Sequence, residues 1–576
     1  MSLIKSKAKD LQTVRLLLNN MLELRDKDNQ IIRFWELDST FKKIVFSVHT
    51  NDILSVYQDK QAITIFYGFL DQAYNHEAAS YVHKILIKKG IDGLNDCYGS
   101  FVVMQVDLNT GTITLSNDAL GDFAAHYTIN EGSNTLHVSD LPDLLLNKNN
   151  KEVNQERIIH YFALSKPKKN AHFFENIKQV NPGQYLTFKN EKVNSAYYYH
   201  PPKNVDFKNT SVEDLSAEFL TLMQTAITYQ TQGQKKIGAM MSGGLDSTFV
   251  TANALKVHKK ISTFSYVFPT ISEANESMWI DSMRSLNIQM NTFVGESYWP
   301  LKQPHPVSIN SPLNNPYRNL KEVIYKNAHN QNIKILLSGV FADHLYTGYI
   351  YWLVDQIKKR PFLAVKSMFS TIRQSGFVSG LKQISPKKWS SHINCSAPWL
   401  NQQTLKQFEE IQASTKKPFY HPHPQQYDLV YSLSTAQNVW LDHEFGYRHE
   451  LFVRHPFRDR RVVEFLMSIP AWVLGTVHTP KSFVRQTAKG MLPDIITRRT
   501  TQTTLTPLFV KGLLEKEFPR VKSLLNNPKA SWQNYVQQDL VKKLLKNPLA
   551  VNQEIDYMLL WQCLGYEMWQ EKLRKI

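Results

Sequence analysis

Cysteine is scarce in this chain, with three residues among 576: Cys97, Cys395 and Cys563. They lie far apart in sequence, so they match neither a disulfide framework nor the paired spacing of a zinc site. We therefore expect reduced thiols buried in the core.

Long apolar runs are also missing. The N-terminal stretch MSLIKSKAKDLQ reaches charged residues before a signal-peptide core can form, and no run approaches the roughly 18 apolar residues of a membrane span. We find no internal repeat, and the composition, 42% hydrophobic and 12% aromatic, argues against a disordered or fibrous class. The expected location is the cytoplasm, with no membrane span.

Basic residues outnumber acidic ones, and the formal net charge is +17. A basic surface favours anions, which include nucleotide phosphates, acidic peptides and nucleic acid. The basic residues are dispersed along the chain, and no aromatic-basic RNA-binding signature occurs. We therefore expect no nucleic-acid partner.

The length predicts two or more domains, because a single hydrophobic core stops growing well below this size. Residues 40–140 are rich in short β-type segments, with one helix predicted in HEAASYVHKILIKKG, ending at Gly90. Near residue 200, the stretch YYYHPPKNVDFKNT combines prolines and polar residues without periodicity. We place the domain boundary there, which gives domains at 1–205 and 206–576.

The second region alternates helices and strands. The first helix is predicted in SVEDLSAEFLTLMQTAITYQTQG, where Ser211 and Asp214 have the spacing of a capping box and Gly233 closes the end. A strand (KIGAMM), a helix (STFVTANALKVHKK), a strand (ISTFSYVF), a helix (ESMWIDSMRSL) and a strand (IKILLSG) follow. This order predicts a parallel sheet covered on both faces, with its ligand at the carboxyl ends of the strands. The remainder, 344–576, is predicted to be mostly helical.

The stretch MSGGLDSTFV, residues 241–250, connects the first strand of this sheet to its first helix. Two glycines let backbone N–H groups approach an anion, and the helix N-terminus adds a partial positive charge. The GK[ST] of a Walker loop is absent. We predict that the loop binds phosphate, that its serine hydroxyls donate hydrogen bonds, and that Asp246 binds Mg²⁺. The predicted loop residues are Ser242, Gly243, Gly244, Leu245, Asp246 and Ser247. The alternative is a plain glycine turn in which Asp or Ser caps the helix.

A second candidate carboxylate, Asp343, follows a later strand in LLSGVFADHLYTG, residues 336–348. Strand ends in one parallel sheet converge on one crevice, so Asp343 is predicted to share a metal ion with Asp246. The alternative is that Asp343 caps the following helix.

The two loops together resemble the motifs of a known family. SGGLDS at 242–247 is similar to the pyrophosphate loop of the asparagine-synthetase-like amide ligases. Residues 338–343, which include Gly339, are similar to the second motif of that family, SGxGxD. Further blocks that resemble the family lie at 98–127, 174–188, 454–470 and 480–500, so the resemblance covers nearly the whole chain.

This resemblance implies an α/β fold in two parts. The N-terminal part would be an Ntn-type αββα glutamine-amidotransferase-like sandwich, and the C-terminal part an ATP-pyrophosphatase parallel sheet with a helical extension. It also implies an AMP-forming carbon–nitrogen ligase that uses ATP and Mg²⁺ to turn a carboxylate into an acyl-adenylate, which an amine converts into an amide. By position, Asp246 and Asp343 would hold Mg²⁺, and Lys481 would stabilise charge on the activated carboxylate. Arg485, one turn later, is expected on the same helix face at the nucleotide.

One departure from the family concerns the first domain. Glutamine-using relatives carry a nucleophilic cysteine directly after the initiator methionine, where this chain has Ser2, and the first cysteine in this chain is Cys97. We therefore expect the first domain to be a retained scaffold without glutaminase activity. The amine is then expected to come with the substrate.

A second departure concerns the base that deprotonates the attacking amine. Val340 stands where relatives place Glu, Tyr or His. A lysine amine needs roughly 4 to 5 kcal/mol to be neutral at pH 7, whereas an α-amine needs only about 1 kcal/mol, so this site favours a peptide N-terminus. His344, or His443 and Glu444, are alternative bases, although a structural role is favoured for the latter two. Phe341 replaces a glycine and is expected to be strained if its φ is positive.

Relatives without the cysteine include β-lactam synthetases, carbapenam synthetases and lasso-peptide cyclases. The Asp343–His344 pair, RHPFRDRRVVEF and the helical tail most resemble the cyclases, which join an Asp or Glu side chain to the N-terminus of a ribosomal precursor peptide. Aromatic residues of YTGYIYWLVDQIKKR, 346–360, are expected to line the substrate cavity or to pack ordinarily. The expected partners are the precursor peptide and a leader-peptide protease. The alternatives are a small-molecule amide ligase of the β-lactam type and a non-catalytic homologue that binds a peptide or nucleotide.

Overall fold

The computed structural model describes most of the chain. The described residues are 14–18, 22–25, 31–33, 43–48, 53–130, 135–146, 151–165, 171–189, 192–201, 211–346, 361–362, 365, 368–369, 373, 397–414, 424–475, 480–546 and 554–575. Four features named in the sequence analysis lie outside the described residues: Ser2, the domain boundary at 205/206, residues 347–360 of the aromatic-rich segment, and Cys395.

The chain forms two compact units. The first comprises Met1–Ile158, Lys166–Pro201 and Tyr431–Tyr447, and the second comprises Ile159–Ser165, Pro202–Val430 and Arg448–Ile576. A helix from the later part of the chain, Leu433–Tyr447, therefore belongs to the first unit.

The first unit is built on two sheets. Its strands are β1 (Val14–Leu18), β2 (Leu22–Arg25), β3 (Ile31–Arg33), β4 (Lys43–Val48), β5 (Leu54–Gln58), β6 (Ala62–Leu70), β7 (Gly99–Asp107), β8 (Ile113–Asn117), β9 (His126–Asn130), β10 (Thr135–Ser139), β11 (Lys178–Gln179), β12 (Gln184–Lys189) and β13 (Lys192–Tyr197). One sheet has the order β11-β9-β10-β4-β1-β2-β3, and the other has the order β13-β12-β8-β7-β6-β5. Neighbours are antiparallel except β10 and β4, which are parallel.

The helix predicted after β6 is present as α1 (Ala78–Lys89), and it ends as expected at Gly90. The N–H of Gly90 donates to the Leu86 carbonyl at 2.9 Å, and its φ of +63° suits a residue without a side chain. The buried face of α1 includes Val82 and Leu86, which pack in the same cluster as Phe66 of β6. This packing explains why β6 is buried along nearly its whole length and lacks the alternating pattern of a half-exposed strand.

The second unit contains the predicted parallel sheet. Its strands are β14 (Ile237–Met240), β15 (Ile261–Val267), β16 (Ile288–Val294), β17 (Ile335–Ser338) and β18 (Phe452–Arg454). Their order is β16-β15-β14-β17-β18, and every pair is parallel. The carboxyl ends of these strands therefore lie along one edge of the sheet.

The two edge strands, β16 and β18, were not predicted from the sequence. β16 reads IQMNTFV, with polar residues among partly exposed positions, because an edge strand needs less apolar surface. β18 has three residues and lies in a region that was predicted to be helical.

The helices, in chain order, are α1, α2 (Gln155–Phe162), α3 (Val212–Gln230), α4 (Leu245–Val257), α5 (Ser277–Ser282), α6 (Arg318–Asn330), α7 (Ala342–Tyr346), α8 (Gln402–Ser414), α9 (Pro424–Tyr431), α10 (Leu433–Tyr447), α11 (Arg460–Ser468), α12 (Ala471–Leu474), α13 (Ser482–Thr487), α14 (Asp494–Thr497), α15 (Thr506–Val510), α16 (Phe518–Leu525), α17 (Gln538–Lys546) and α18 (Glu554–Arg574). The predicted cap of α3 is confirmed, because Ser211 Oγ accepts a hydrogen bond from the Asp214 N–H at 3.0 Å.

Two further predictions concern burial. Cys97 and Cys563 are buried and not joined in a disulfide, as expected. Within the described ranges, no helix combines the length and the apolar character needed to cross a bilayer.

Candidate active site

Two neighbouring strands deliver the predicted loops to the same place. β14 and β17 pair in parallel, with Met240 opposite Ser338, and each strand is followed within a few residues by a helix. The loop after β14 leads into α4 at Leu245, and the loop after β17 leads into α7 at Ala342. The loops therefore lie side by side at the carboxyl edge of the sheet.

Gly339 allows the backbones of these two loops to touch. A Cβ on Gly339 would lie 2.6 Å from Ser247 N, 2.7 Å from Ser247 Cα and 2.9 Å from the carbonyl carbon of Asp246. All three atoms belong to the backbone at the start of α4, so no side-chain rotation relieves the clash. The glycine of the second motif thus sets the spacing between the two loops.

The structure brings Asp246, Asp343 and Lys481 together. Lys481 Nζ lies 2.6 Å from Asp246 Oδ2 and 2.6 Å from Asp343 Oδ1. Because one nitrogen contacts both oxygens, the two carboxylates are at most about 5.2 Å apart, twice that distance. Lys481 precedes α13 with a left-handed backbone, φ +57°. Asp343 is the second residue of α7, so the alternative that it caps that helix is wrong.

Burial and neighbouring charges shift the pKa values of Asp246 and Lys481 in opposite directions. The side chains of Lys481 and Asp246 are 14% and 17% exposed, whereas that of Asp343 is 64% exposed. Burial raises the pKa of Asp246 to about 6, against the opposing effect of the Lys481 charge. Burial disfavours the charged form of Lys481, but the two carboxylates raise its pKa above the ordinary value. Lys481 is therefore an ammonium at neutral pH.

The site also fits a divalent cation. Asp246 Oδ1 is buried and has no hydrogen-bond partner, so one oxygen of this carboxylate is available to a further ligand. Mg²⁺ is commonly held by one or two carboxylates together with phosphate oxygens. In the part of the chain that the structure describes, no group of three or more His, Cys, Asp or Glu side chains is placed to hold a metal ion alone. A metal at Asp246 and Asp343 would thus depend on phosphate oxygens as well.

The serines of the first loop bond to each other. Ser247 Oγ accepts from the Ser242 N–H at 3.0 Å and lies 3.0 Å from Ser242 Oγ, which in turn accepts from the Gly244 N–H at 3.1 Å. Gly244 is the N-cap of α4, and no side chain caps this helix. The alternative in which Asp or Ser caps it is therefore wrong.

A buried ion pair that the sequence analysis did not single out holds Gly243. The Gly243 N–H donates to Glu276 Oε2 at 3.1 Å. Arg499 Nη1 donates to Glu276 Oε1 at 2.7 Å and to the Gly243 carbonyl at 2.8 Å, and Thr503 Oγ1 donates to Glu276 Oε1 at 2.7 Å. The Arg499 guanidinium stacks 3.8 Å from the ring centre of Trp279.

One member of this ion pair, Glu276, could have been found from its position in the sequence. Glu276 follows β15, the neighbour of β14, and so belongs to the same sheet edge as the loop. The sequence showed the basic residues only as dispersed along the chain, yet the side chain of Arg499 is just 6% exposed. A basic residue distant in sequence cannot be assigned to a site by position alone.

Arg485 supports the segment that carries Lys481. Its Nε donates to the Pro480 carbonyl at 2.9 Å and its Nη1 to the Thr497 carbonyl at 2.8 Å. The charge of Arg485 also opposes, as the last of several causes, the rise in the pKa of Asp246. These contacts place the guanidinium near the carboxylate cluster with its N–H groups on backbone carbonyls.

Tyr346, the first residue of the aromatic-rich segment, lies beside the carboxylates. Burial raises the pKa of its phenol, and Asp246 and Asp343 raise it further, so the hydroxyl keeps its proton. This hydroxyl is buried without a hydrogen-bond partner.

The residues that depart from the family motif differ in environment. Phe341 has φ +76°, so the condition for strain at this position is met. Its buried ring lies 4.9 Å from the ring of His455 and 5.5 Å from the Arg458 guanidinium. Val340 is 44% exposed. His344 is partly buried, and its Nδ1 has no hydrogen-bond partner.

His443 and Glu444 are buried in α10, which belongs to the first unit, whereas the carboxylate cluster belongs to the second. The His443 ring packs 4.8 Å from the ring of Phe123. This environment favours the structural role over that of a base.

Comparison with known proteins connects this geometry to a family. Residues 218–571 match the asparagine synthase family model, and residues 76–199 match the glutamine amidotransferase domain model. Asparagine synthetase [glutamine-hydrolyzing] 1 of Bacillus subtilis (strain 168) is 19% identical over 504 residues, which cover 82% of this chain and 77% of that protein. Asparagine synthetase [glutamine-hydrolyzing] 3 of the same organism is 24% identical over 475 residues, 75% of this chain and 72% of that protein.

Solved structures give weaker similarities. The allosteric regulatory enzyme of purine biosynthesis aligns with a TM-score of 0.20 at 7% identity, covering 51% of this chain and 77% of that chain. Glutamine phosphoribosylpyrophosphate amidotransferase from B. subtilis, complexed with ADP and GMP, aligns with a TM-score of 0.18 at 8% identity, covering 52% and 59%.

The α/β fold predicted from the sequence is confirmed in both parts: an Ntn-type glutamine-amidotransferase-like domain, followed by a parallel sheet with helices. The predicted enzyme class, an ATP-dependent, AMP-forming carbon–nitrogen ligase, is the class of asparagine synthetase homologues. The match to the synthase model spans more than half of the sequence and includes every residue of the carboxylate cluster. The chain belongs to the asparagine synthase family.

Proposed function

We propose that this protein activates a carboxylate with ATP as an acyl-adenylate and transfers the acyl group to an amine, releasing AMP and pyrophosphate. The observation that carries the proposal is the 2.6 Å contact of Lys481 Nζ with both Asp246 and Asp343. Two carboxylates and one ammonium from separate segments meet where two parallel strands end, which is where ligands bind in such sheets.

In the first step, the loop from Ser242 to Ser247 binds the phosphates of ATP, and Asp246 and Asp343 are the residues that would hold Mg²⁺. When bound, the ion neutralises charge on the phosphate oxygens. A carboxylate oxygen of the substrate attacks the α-phosphorus, the bond from that phosphorus to the bridging oxygen breaks, and pyrophosphate leaves. Glu276 and Arg499 keep the loop in place through Gly243.

In the second step, an amine attacks the acyl carbon and AMP leaves with its electron pair. Negative charge develops on the acyl oxygen, and Lys481 is the cation that we assign to stabilise it. The amine must also lose a proton, which Val340 cannot accept. We assign that role to His344, whose Nδ1 has no partner and whose pKa burial lowers, so that the imidazole is neutral at pH 7.

We further propose that the amine is the N-terminus of a ribosomal precursor peptide and that the carboxylate is an Asp or Glu side chain of the same peptide. The product is then a macrolactam, as in lasso-peptide cyclases, and a leader-peptide protease is the partner that supplies the free N-terminus. Support comes from Val340, since an α-amine needs only about 1 kcal/mol to be neutral at pH 7.

The test uses synthetic peptides that contain a free α-amine and one internal Asp or Glu at a series of spacings, incubated with ATP and Mg²⁺. Mass spectrometry should show loss of one water, together with AMP and pyrophosphate. The matched control is the N-acetylated peptide, which is expected to be adenylated but not cyclised.

Three other outcomes would replace this proposal. Amide formation only with small molecules that carry both amine and carboxylate favours the β-lactam type of ligase. If asparagine forms from aspartate with ammonia or glutamine, the protein has the activity for which its relatives are named. Absence of AMP with every carboxylate, in folded protein, favours a non-catalytic binding role.

A further inference from the structure

A polar cavity in the second unit is lined by residues other than those of the carboxylate cluster. It has a volume of about 310 Å³, within the range of small-ligand sites. Its walls include Thr270 and Ile271, which follow β15, and Glu296 and Ser297, which follow β16. The cavity thus lies at the carboxyl edge of the same sheet. β16 is two strands from β14, which is about 10 Å at the usual strand spacing.

The charge in this cavity is mainly positive. Lys302, Lys511 and Lys516 line it, against one acidic residue, Glu296, whose Oε1 already accepts the Thr270 N–H at 2.5 Å. Over the described part of the chain, no carboxylate forms an ion pair with Lys511 or Lys516.

Trp299 holds two of these ammonium groups close together. Lys516 Nζ lies 3.7 Å and Lys302 Nζ lies 4.6 Å from the centre of the Trp299 ring, so the two charges are at most about 8.3 Å apart. The indole N–H donates to Glu517 Oε1 at 2.8 Å, which fixes the ring. Like charges held at this distance repel, and an anion bound in the cavity that both lysines line would relieve the repulsion.

An unusual backbone places the other lysine. Lys511–Lys516 form a single π-helical turn, an element that is rare and frequent at functional sites. In an α-helix, residues five apart point about 140° away from each other, whereas the i to i+5 bonding of a π turn stacks them on one face. The turn therefore brings Lys511 and Lys516 to the same cavity wall.

Gly512 lets this turn approach Trp299. A Cβ on Gly512 would lie 2.8 Å from Pro300 Cδ and 3.0 Å from Trp299 Cβ. The close packing, the fixed indole and the π turn all serve to keep three ammonium groups around one cavity.

We propose that this cavity is an anion site for a compact group with two or more negative charges, either a phosphate or a dicarboxylate. Ammonium groups suit such a group because each acts as a point charge with three rotatable donors. The site is separate from the phosphate loop and does not depend on the reaction proposed above.

Equilibrium binding tests the proposal without reference to turnover. Inorganic phosphate, and succinate in a second series, are titrated into the full chain by calorimetry at constant ionic strength, because screening alters all such contacts. Lys511→Gln/Lys516→Gln is compared with Lys543→Gln/Lys546→Gln, which removes the same charge from exposed positions of α17. We expect roughly hundredfold or more weaker binding in the cavity variant only, since each charge-assisted contact contributes substantially.

The outcomes separate the possible sources. Binding of phosphate alone assigns a phosphate site, and binding of succinate assigns a dicarboxylate site. The proposal is overturned if the wild-type chain binds neither probe, if both double variants bind equally well, or if Ser242→Ala abolishes binding, since the anion would then occupy the phosphate loop.

Discussion

Replacing Gly339 with alanine tests whether the contact between the two loops sets the catalytic geometry. The new Cβ would lie 2.6 Å from Ser247 N, about 0.8 Å inside the shortest ordinary contact of 3.4 Å. Because the clashing atoms are backbone, the loop after β17 and the start of α4 must separate by several tenths of an ångström or more. Overpacking of this kind costs about 1 to 3 kcal/mol of stability. A displacement near 1 Å at a reacting centre costs about a hundredfold in rate.

The assay is AMP formation under single-turnover conditions, with thermal unfolding measured on the same samples. Gly244→Ala is the comparison variant. Its Cβ would meet only the Ser242 hydroxyl, at 3.1 Å, and Gly244 already has an extended backbone that alanine adopts. We expect about a hundredfold loss for Gly339→Ala and less than about tenfold for Gly244→Ala. Equal losses in the two variants, or wild-type turnover in folded Gly339→Ala, would refute the reasoning.

Further predictions address the cation, the strained residue and the first unit. Lys481→Met should lower the rate of amide formation by about 10²- to 10³-fold in a quenched-flow assay, because the cation that stabilises the developing anion is lost. An unchanged rate would rule out the role assigned to Lys481. Phe341→Gly should be more stable than Phe341→Ala by about 1 kcal/mol in urea unfolding, because φ is +76° and both variants lose the same ring. If Phe341→Ala is the more stable variant, as is usual for alanine against glycine, the backbone at this position is not strained. Burial lowers the pKa of His126 to about 4, so only the unfolded state takes up its proton between pH 6.5 and 4. The contribution of His126 to stability should therefore fall by up to about 3 kcal/mol over that window and stay constant above it, and His126→Asn should remove this part of the pH dependence of unfolding.

Local signals in the sequence were sufficient for much of this fold. The alternation of segments after 211 predicted the parallel sheet, because buried strands and amphipathic helices have different apolar periods. Ser211 and Gly90 marked helix ends, because capping depends on a few adjacent residues. The edge strands β16 and β18 were not predicted. An edge strand such as β16 buries little apolar surface, and β18, with three residues, is too short to show a hydrophobic period.

In the candidate active site, too, residues with a local sequence signal were predicted and contacts between distant segments were not. Asp246 and Asp343 were predicted because each lies where a strand of one sheet turns into the following helix. Lys481 was assigned to the site from family resemblance alone, and its contact with both carboxylates was not predicted, since no local rule brings a residue 235 positions away to Asp246. Glu276 and Arg499 were missed because an ion pair between distant segments exists only once the chain has folded.

The most direct test of the central claim is the identity of the nucleotide products when substrate is supplied. The account predicts AMP and pyrophosphate, formed only with Mg²⁺, and loss of both products in Asp246→Asn and in Asp343→Asn while each variant remains folded. It also predicts that the double variant is little worse than either single variant, because the two carboxylates act as a unit. Formation of ADP and phosphate, or full activity in either variant, would contradict it.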